Sequence, residues 1–182
     1  MPRAQISGDT NVIATMALLV ADRAREAVEA AAESSGAIGP ALCALHEFAS
    51  GRPIEVLAGA LGVSHSRAVR VVDRLDERGL ARRRAAPDDR RVAQVELTAA
   101  GRRAARRVLA ARAAAVEDVL AGLDDEARAA MAALAARVFD GAVTSRAAAR
   151  RICRMCDAHA CGHDAGRCPV TLAADRAGRG SA

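Results

Sequence analysis

Four cysteines, Cys153, Cys156, Cys161 and Cys168, lie within sixteen residues in the spacing C-x2-C-x4-C-x6-C, and Pro169 follows the last. Disulfides are rare in the cytoplasm, where this chain is expected, so four clustered thiols point to a metal centre. Gly162 and Gly166 give the segment the freedom to converge four sulfurs. Three chemistries compete. The preferred one is an iron–sulfur cluster on four thiolates, whose excess negative charge Arg151, Arg154 and Arg167 are placed to offset. The second is a structural zinc, for which His159 and His163 add two alternative ligands. The third is a set of thiols that respond directly by forming disulfides. Cys43 stands apart, beside Leu42 and close to Leu45, and reads as a small core residue.

The rest of the chain must position this segment. Its 182 residues include 27 basic and 22 acidic side chains, for a net charge of +5, and every basic one is Arg. Alanine accounts for 48 residues and Val, Ile, Leu and Phe together for 37, with no Trp or Tyr. That composition predicts closely packed helices and argues against an aromatic platform for stacked bases. No apolar run reaches the length of a membrane span, so no membrane partner is expected. There is no Gly-rich phosphate loop, nucleophile elbow or H-E-x-x-H, and the chain reads as a non-enzyme.

Hydrophobic periodicity predicts a mainly α fold with a small β wing. A long helix is expected over 9–33, a second over 41–49 and a short third beginning near Pro53. Ser64 reads as the N-cap of a fourth helix that runs to about Arg78, with Gly79 as its stop. Two strands, 80–84 and 92–97, flank a polar turn. Thr98 caps a helix to about Ala121, and Asp124 caps another to about Arg150. The tail, 171–182, is expected to be flexible.

A short helix, a turn at Gly62-Val63 and a capped longer helix form the helix-turn-helix pattern. In the second helix Val69, Val72 and Leu75 are expected to face inward. Ser64, His65, Ser66, Arg67, Arg70 and Arg74 are expected to meet DNA, since Arg matches the paired acceptors of guanine. Residues 64–91 hold nine Arg against five acids. A turn carrying Asp89, Arg90 and Arg91 then reads as a wing that reaches the minor groove or its phosphates.

Taken together, residues 38–101 resemble a MarR-family winged helix-turn-helix. The resemblance is carried by Leu57-Ala58, Gly62-Val63-Ser64, Val72-Asp73-Arg74-Leu75, Gly79-Leu80-Ala81-Arg82-Arg83, Pro87-Asp88-Asp89-Arg90-Arg91 and Leu97-Thr98-Ala99-Ala100-Gly101. With the flanking long helices it extends over about 9–150. It implies a homodimer on a pseudo-palindromic double-stranded DNA operator, usually acting as a repressor, with a small-molecule effector as a further expectation.

The implied organisation is an N-terminal dimerisation helix (9–35), a DNA-binding domain (36–98), C-terminal dimerisation helices (99–150) and a Cys-rich metal segment (151–170). The cysteine segment lies outside the usual family pattern. Its closing Cys-Pro resembles the end of a ferredoxin ligand run, and its spacing is similar in kind to the cluster loops of iron–sulfur regulators. The leading expectation is a regulator that senses redox state or metal. Loss of the centre would loosen the tail against the dimerisation helices. The alternatives are a small-molecule-responsive repressor stapled by zinc, and a metal- or electron-carrying interaction module.

Overall fold

The structure, a computed structural model, describes residues 6–85 and 93–179. Helix α1 spans Gly8–Ala32 and starts on Ser7, whose side chain accepts a hydrogen bond from Thr10 N. Helix α2, Ile38–Ala44, ends in a wide π turn over Leu45–Ala49. It begins three residues earlier than the sequence suggests. Pro40 fits its first turn, where no amide is required, and Gly39 lets it press against α1, because a Cβ there would overlap Val28 Cγ1.

Arg52–Pro53 forms a short strand β1, and α3 follows over Ile54–Leu61. Gly62 closes α3 in the left-handed region at φ 65°, and α4 runs from His65 to Glu77. Strands β2, Ala81–Ala85, and β3, Ala93–Leu97, complete an antiparallel sheet in the order β1-β3-β2. The expected pair of strands is therefore joined by a third, with Arg52 opposite Val95.

Thr98 ties the wing to α5, Ala99–Val119. Its hydroxyl accepts from Gly101 N at 3.0 Å and donates to Gly79 O at 2.7 Å. Gly101 itself lies against the Leu80 carbonyl, with no room for a Cβ. Asp124 caps α6, Asp125–Ala142, through Ala127 N at 2.8 Å.

Beyond α6 the chain departs from the sequence reading. The expected helix to Arg150 breaks where Val143 turns to extended backbone, and Ser145 caps a separate α7, Arg146–Ile152. The break buries Val143, which is worth more than continuing through Thr144 and Ser145. A 3-10 turn, Cys153–Met155, leads into the cysteine loop. The flexible tail expected from 171 onward is instead helix α8, Pro169–Arg179, with Val170, Ala173 and Ala174 buried on one face. Its small apolar residues recur at i, i+3 and i+4, a weak but real stripe.

Two cores result. The larger joins α1–α5 and the sheet through Val28, Ile38, Leu42, Leu45, Leu57, Val72, Leu75 and Val108. The smaller gathers Val143, Ala149, Cys168, Val170, Ala173 and Ala174 beneath α6–α8. In contrast, the first half of α1 leaves Val12, Ile13, Leu18 and Leu19 exposed, and α6 buries nothing. No helix among the described residues is long and apolar enough to cross a membrane.

Two outcomes follow from this packing. Gly101→Ala must push Leu80 aside and is expected to lose about 2–3 kcal/mol in urea unfolding; an unchanged midpoint would contradict the contact. Burial pushes the Cys43 thiol up to about 12, from an ordinary value of 9.0. Its thiolate fraction near pH 8 then falls about a thousandfold. Cys43 should resist iodoacetamide in the native chain and react on unfolding.

Candidate functional site

The first site is the exposed face of α4. Ser64 caps it, accepting from Arg67 N at 3.3 Å, and its hydroxyl lies 3.2 Å from that of Ser66. The buried row of α4 is Ala68, Val71, Val72 and Leu75. Val69, expected inward, is only partly buried, because the core-facing stripe is centred on Val72 and Val69 falls at its edge. Ser64, His65, Ser66, Arg67, Arg70 and Arg74 are all exposed, as a DNA-reading face requires. Arg67, Arg70 and Arg74 share a hollow of about 370 Å³ with the turn Ser35–Ile38 at the start of α2. His65 Nδ1 lies 3.3 Å from Glu55 of α3, which ties the first turn of α4 to its neighbour.

Wing arginines are engaged with acids. Arg84 Nε pairs with Glu96 at 2.9 Å and Arg82 with the same carboxylate at 3.7 Å. Arg83 pairs with Asp73 of α4 at 2.5 Å and so locks strand to helix. Arg102 at the start of α5 donates to Leu97 O at 2.8 Å. Asp89, Arg90 and Arg91, expected at the wing tip, lie outside the described residues.

The second site is the cysteine segment. Of the four thiols, that of Cys156 donates to Asp157 O at 3.6 Å and that of Cys161 to Ala158 O at 3.4 Å. None is in a disulfide. The hydrogen bond from Cys156 holds the Cys153 thiol below its ordinary value. Burial would raise Cys168, but hydrogen bonds from Thr171 and Cys161 outweigh it and bring it down. Cys156 is pushed up, chiefly by donating to Cys153, and Cys161 is pushed up to about 12 by burial. Among the described residues no group of three or more His, Cys, Asp or Glu side chains is arranged, as it stands, to hold a metal ion.

All four thiols line one cavity of about 260 Å³, together with His163 and Thr171. His163 Nδ1 lies 2.9 Å from Thr171 Oγ1, which fixes its ring, whereas His159 lines a different hollow. The arginines on the thiol cavity are Arg52, Arg146 and Arg150. Arg151, Arg154 and Arg167, expected to offset the thiolates, are elsewhere. Arg151 lies against Gly62, Arg154 donates to Arg151 O at 2.6 Å, and Arg167 packs beside Gly162.

Sequence reading also missed the far wall of the cavity. Glu47 and Phe48 from the π turn, Arg52 from β1 and Val56 from α3 complete it. A tail docked on the dimerisation helices is the expectation. Helix α8 does pack against α6, with Phe139 on the smaller core and Asp140 paired with Arg176, while α7 and the cysteine loop sit on α2 and α3, with a hollow of about 790 Å³ between that loop and Arg106, Leu109 and Arg112 of α5.

Comparison with known proteins bears on the first site. Residues 40–92 match the sequence model of the MarR family. No curated protein matches the chain. Among solved structures, CouR from Rhodococcus jostii, bound to p-coumaroyl-CoA, is similar at TM-score 0.58 and 24% identity, over 75% of this chain and 95% of that one. Wild-type MarR from E. coli is similar at TM-score 0.61 and 20% identity, over 74% of this chain and 98% of that one. A mutant of MepR from S. aureus, bound to an oligodeoxyribonucleotide, is similar at TM-score 0.55 and 15% identity, over 75% of this chain and 99% of that one. At these identities the structures show a shared fold. MarR-family proteins are DNA-binding regulators and not enzymes. The family match is confined to residues 40–92; set in that shared fold, and with a capped, arginine-faced α4 inside it, it makes the chain similar to the MarR family over that stretch.

Proposed function

We propose that the chain is a cytoplasmic, dimeric repressor whose four-cysteine centre holds an iron–sulfur cluster and makes DNA binding respond to redox state or metal supply. The observation that carries the sensing half is that all four thiols line one cavity shared with Arg52 and Arg150. Four thiolates on a cluster leave net negative charge, and nearby guanidinium groups stabilise it. When bound, such a cluster supplies electron transfer and sensitivity to oxidants. The chain's own residues hold it, with Thr171 orienting both Cys168 and His163.

The dimer is supported by the uncovered apolar faces of α1 and α6. Val12 is 68% exposed, Leu18 65% and Val138 66%, a stripe that a second copy would bury. Dimerisation sets the two α4 helices to read the two halves of a pseudo-palindrome. Arg67, Arg70 and Arg74 contact DNA from α4, alongside Ser64, His65 and Ser66, and Asp89, Arg90 and Arg91 from the wing. The MepR mutant that shares the fold is bound to DNA, which supports this use of α4.

A second reading has a specific observation behind it. The four thiols line one small cavity with His163, a donor set that suits a single tetrahedral zinc. The tail would then be stapled, and the hollow between its loop and α5 would take a small effector, as CouR takes p-coumaroyl-CoA.

Arg70→Ala is expected to weaken binding to a DNA duplex selected by this chain from a random pool by about 1–3 kcal/mol, with the dimer intact. Unchanged affinity in an anisotropy titration would remove α4 from the account. Anaerobic purification is expected to give a coloured protein with iron and acid-labile sulfide, both lost in Cys156→Ser. A colourless protein with about one zinc per chain would establish the second reading, and a metal-free parent chain would overturn both.

A further inference from the structure

The extension grips the helix-turn-helix of its own chain at three points. Arg151 of α7 lies flat on Gly62, its Cζ only 2.7 Å from where a Cβ would stand. Ala158 N donates to Glu47 Oε2 at 2.9 Å, across 111 residues of sequence. Met155 packs against the main core from outside the extension's own core.

These grips lie beside the thiols. Arg151 precedes Cys153 by two residues, and Ala158 lies between Cys156 and Cys161. Their counterparts are equally close to the DNA-reading helix. Gly62 is the first residue of the turn that joins α3 to α4, held at φ 65°, and Ser64, the cap of α4, follows by two. Glu47 and Phe48 belong to the π turn at the end of α2, an irregularity of the kind that recurs at functional positions. A change in sulfur spacing therefore reaches both ends of α3 within a few residues, without passing through the dimer interface.

We propose that filling the thiol centre sets DNA affinity within each chain, by clamping α7 and the cysteine loop onto α2 and α3 through Arg151 at Gly62 and Ala158 at Glu47. This rests on the reading that the four thiols take up a metal. Drawing four sulfurs around a bound centre gives them fixed coordination and rigidifies residues 153–168. The rigid loop holds Ala158 on Glu47, and α7 holds Arg151 on Gly62. The α3–turn–α4 unit is then fixed against the main core, with the arginines of α4 in register for DNA. When the centre empties, both grips slacken and the unit is free to rotate, so the filled form binds DNA more tightly.

The test uses the full chain, stripped with chelator under argon and reloaded with ferrous iron and sulfide, or with Zn(II) alone. Metal per chain and affinity for the selected duplex are measured in each state. In the parent chain the loaded form is expected to bind about tenfold more tightly than the stripped form. Arg151→Ala is expected to load as much metal as the parent while that ratio falls to about threefold or less, and Glu47→Ala to lower the ratio as far when compared at equal metal per chain. If Arg151→Ala does not fold by circular dichroism, Glu47→Ala carries the comparison alone. A metal-loaded parent whose affinity equals that of the stripped chain overturns the proposal, as does a full response in the folded variants. A parent chain that takes up neither probe overturns the underlying reading, and the clamp with it.

Discussion

Gly39 lies so close to Val28, and Gly101 so close to the Leu80 carbonyl, that neither position has room for a single added carbon. Nearly everything else depends on that closeness. With 48 alanines and no Trp or Tyr, the chain has few large side chains with which to fill gaps between elements. Dispersion and burial are gained only if backbones approach until small groups touch. The Gly39 contact sets α2 against α1. The Gly101 contact sets the wing against α5, where Thr98 links the Gly79 carbonyl to the first turn of the helix. Both frame the α3–turn–α4 unit that carries the candidate DNA-reading face.

Small residues also limit what one chain can cover. The upper half of α1, and Leu134 and Val138 on α6, carry apolar side chains that no element of the same chain buries. In the extension the economy goes further, because the candidate ligands serve as core. Cys168 is buried in the smaller core and Cys153 and Cys161 pack against it. Folding of the extension and filling of the proposed centre would therefore be linked, as they are wherever ligands and core coincide. The seat of the extension on α2 and α3 brings that linkage to the helix-turn-helix. The surface pair Arg146–Asp175 joins α7 to α8, and Arg176–Asp140 joins α8 to α6, but both add little at their exposure.

Much of the helix-turn-helix was legible in the sequence because its signals are local. Ser64, Thr98 and Asp124 all cap helices as read, since each needs only its own side chain and an amide three residues on. Gly62 and Gly79 mark left-handed turns for the same reason. The convergence of the four cysteines was legible from their spacing. What escaped was set by tertiary packing. Val69 was taken as inward from a three-residue repeat, whereas the observed stripe is Ala68, Val71, Val72 and Leu75. Helix α8 was hidden because its buried face is mostly alanine, and the break at Val143 because a burial preference overrode local continuity. The π turn left no local signal, and so neither did the placement of Glu47 and Phe48 on the thiol cavity.

The account joins two claims in one molecule: a dimer that binds DNA, and a metal centre on four thiols of each chain. Native mass spectrometry of the full chain, purified and sprayed without oxygen, measures both at once. The account predicts a dimer whose mass exceeds that of two bare chains by two metal centres, and which takes up one duplex. Monomers, or dimers at the bare mass of two chains, would contradict it.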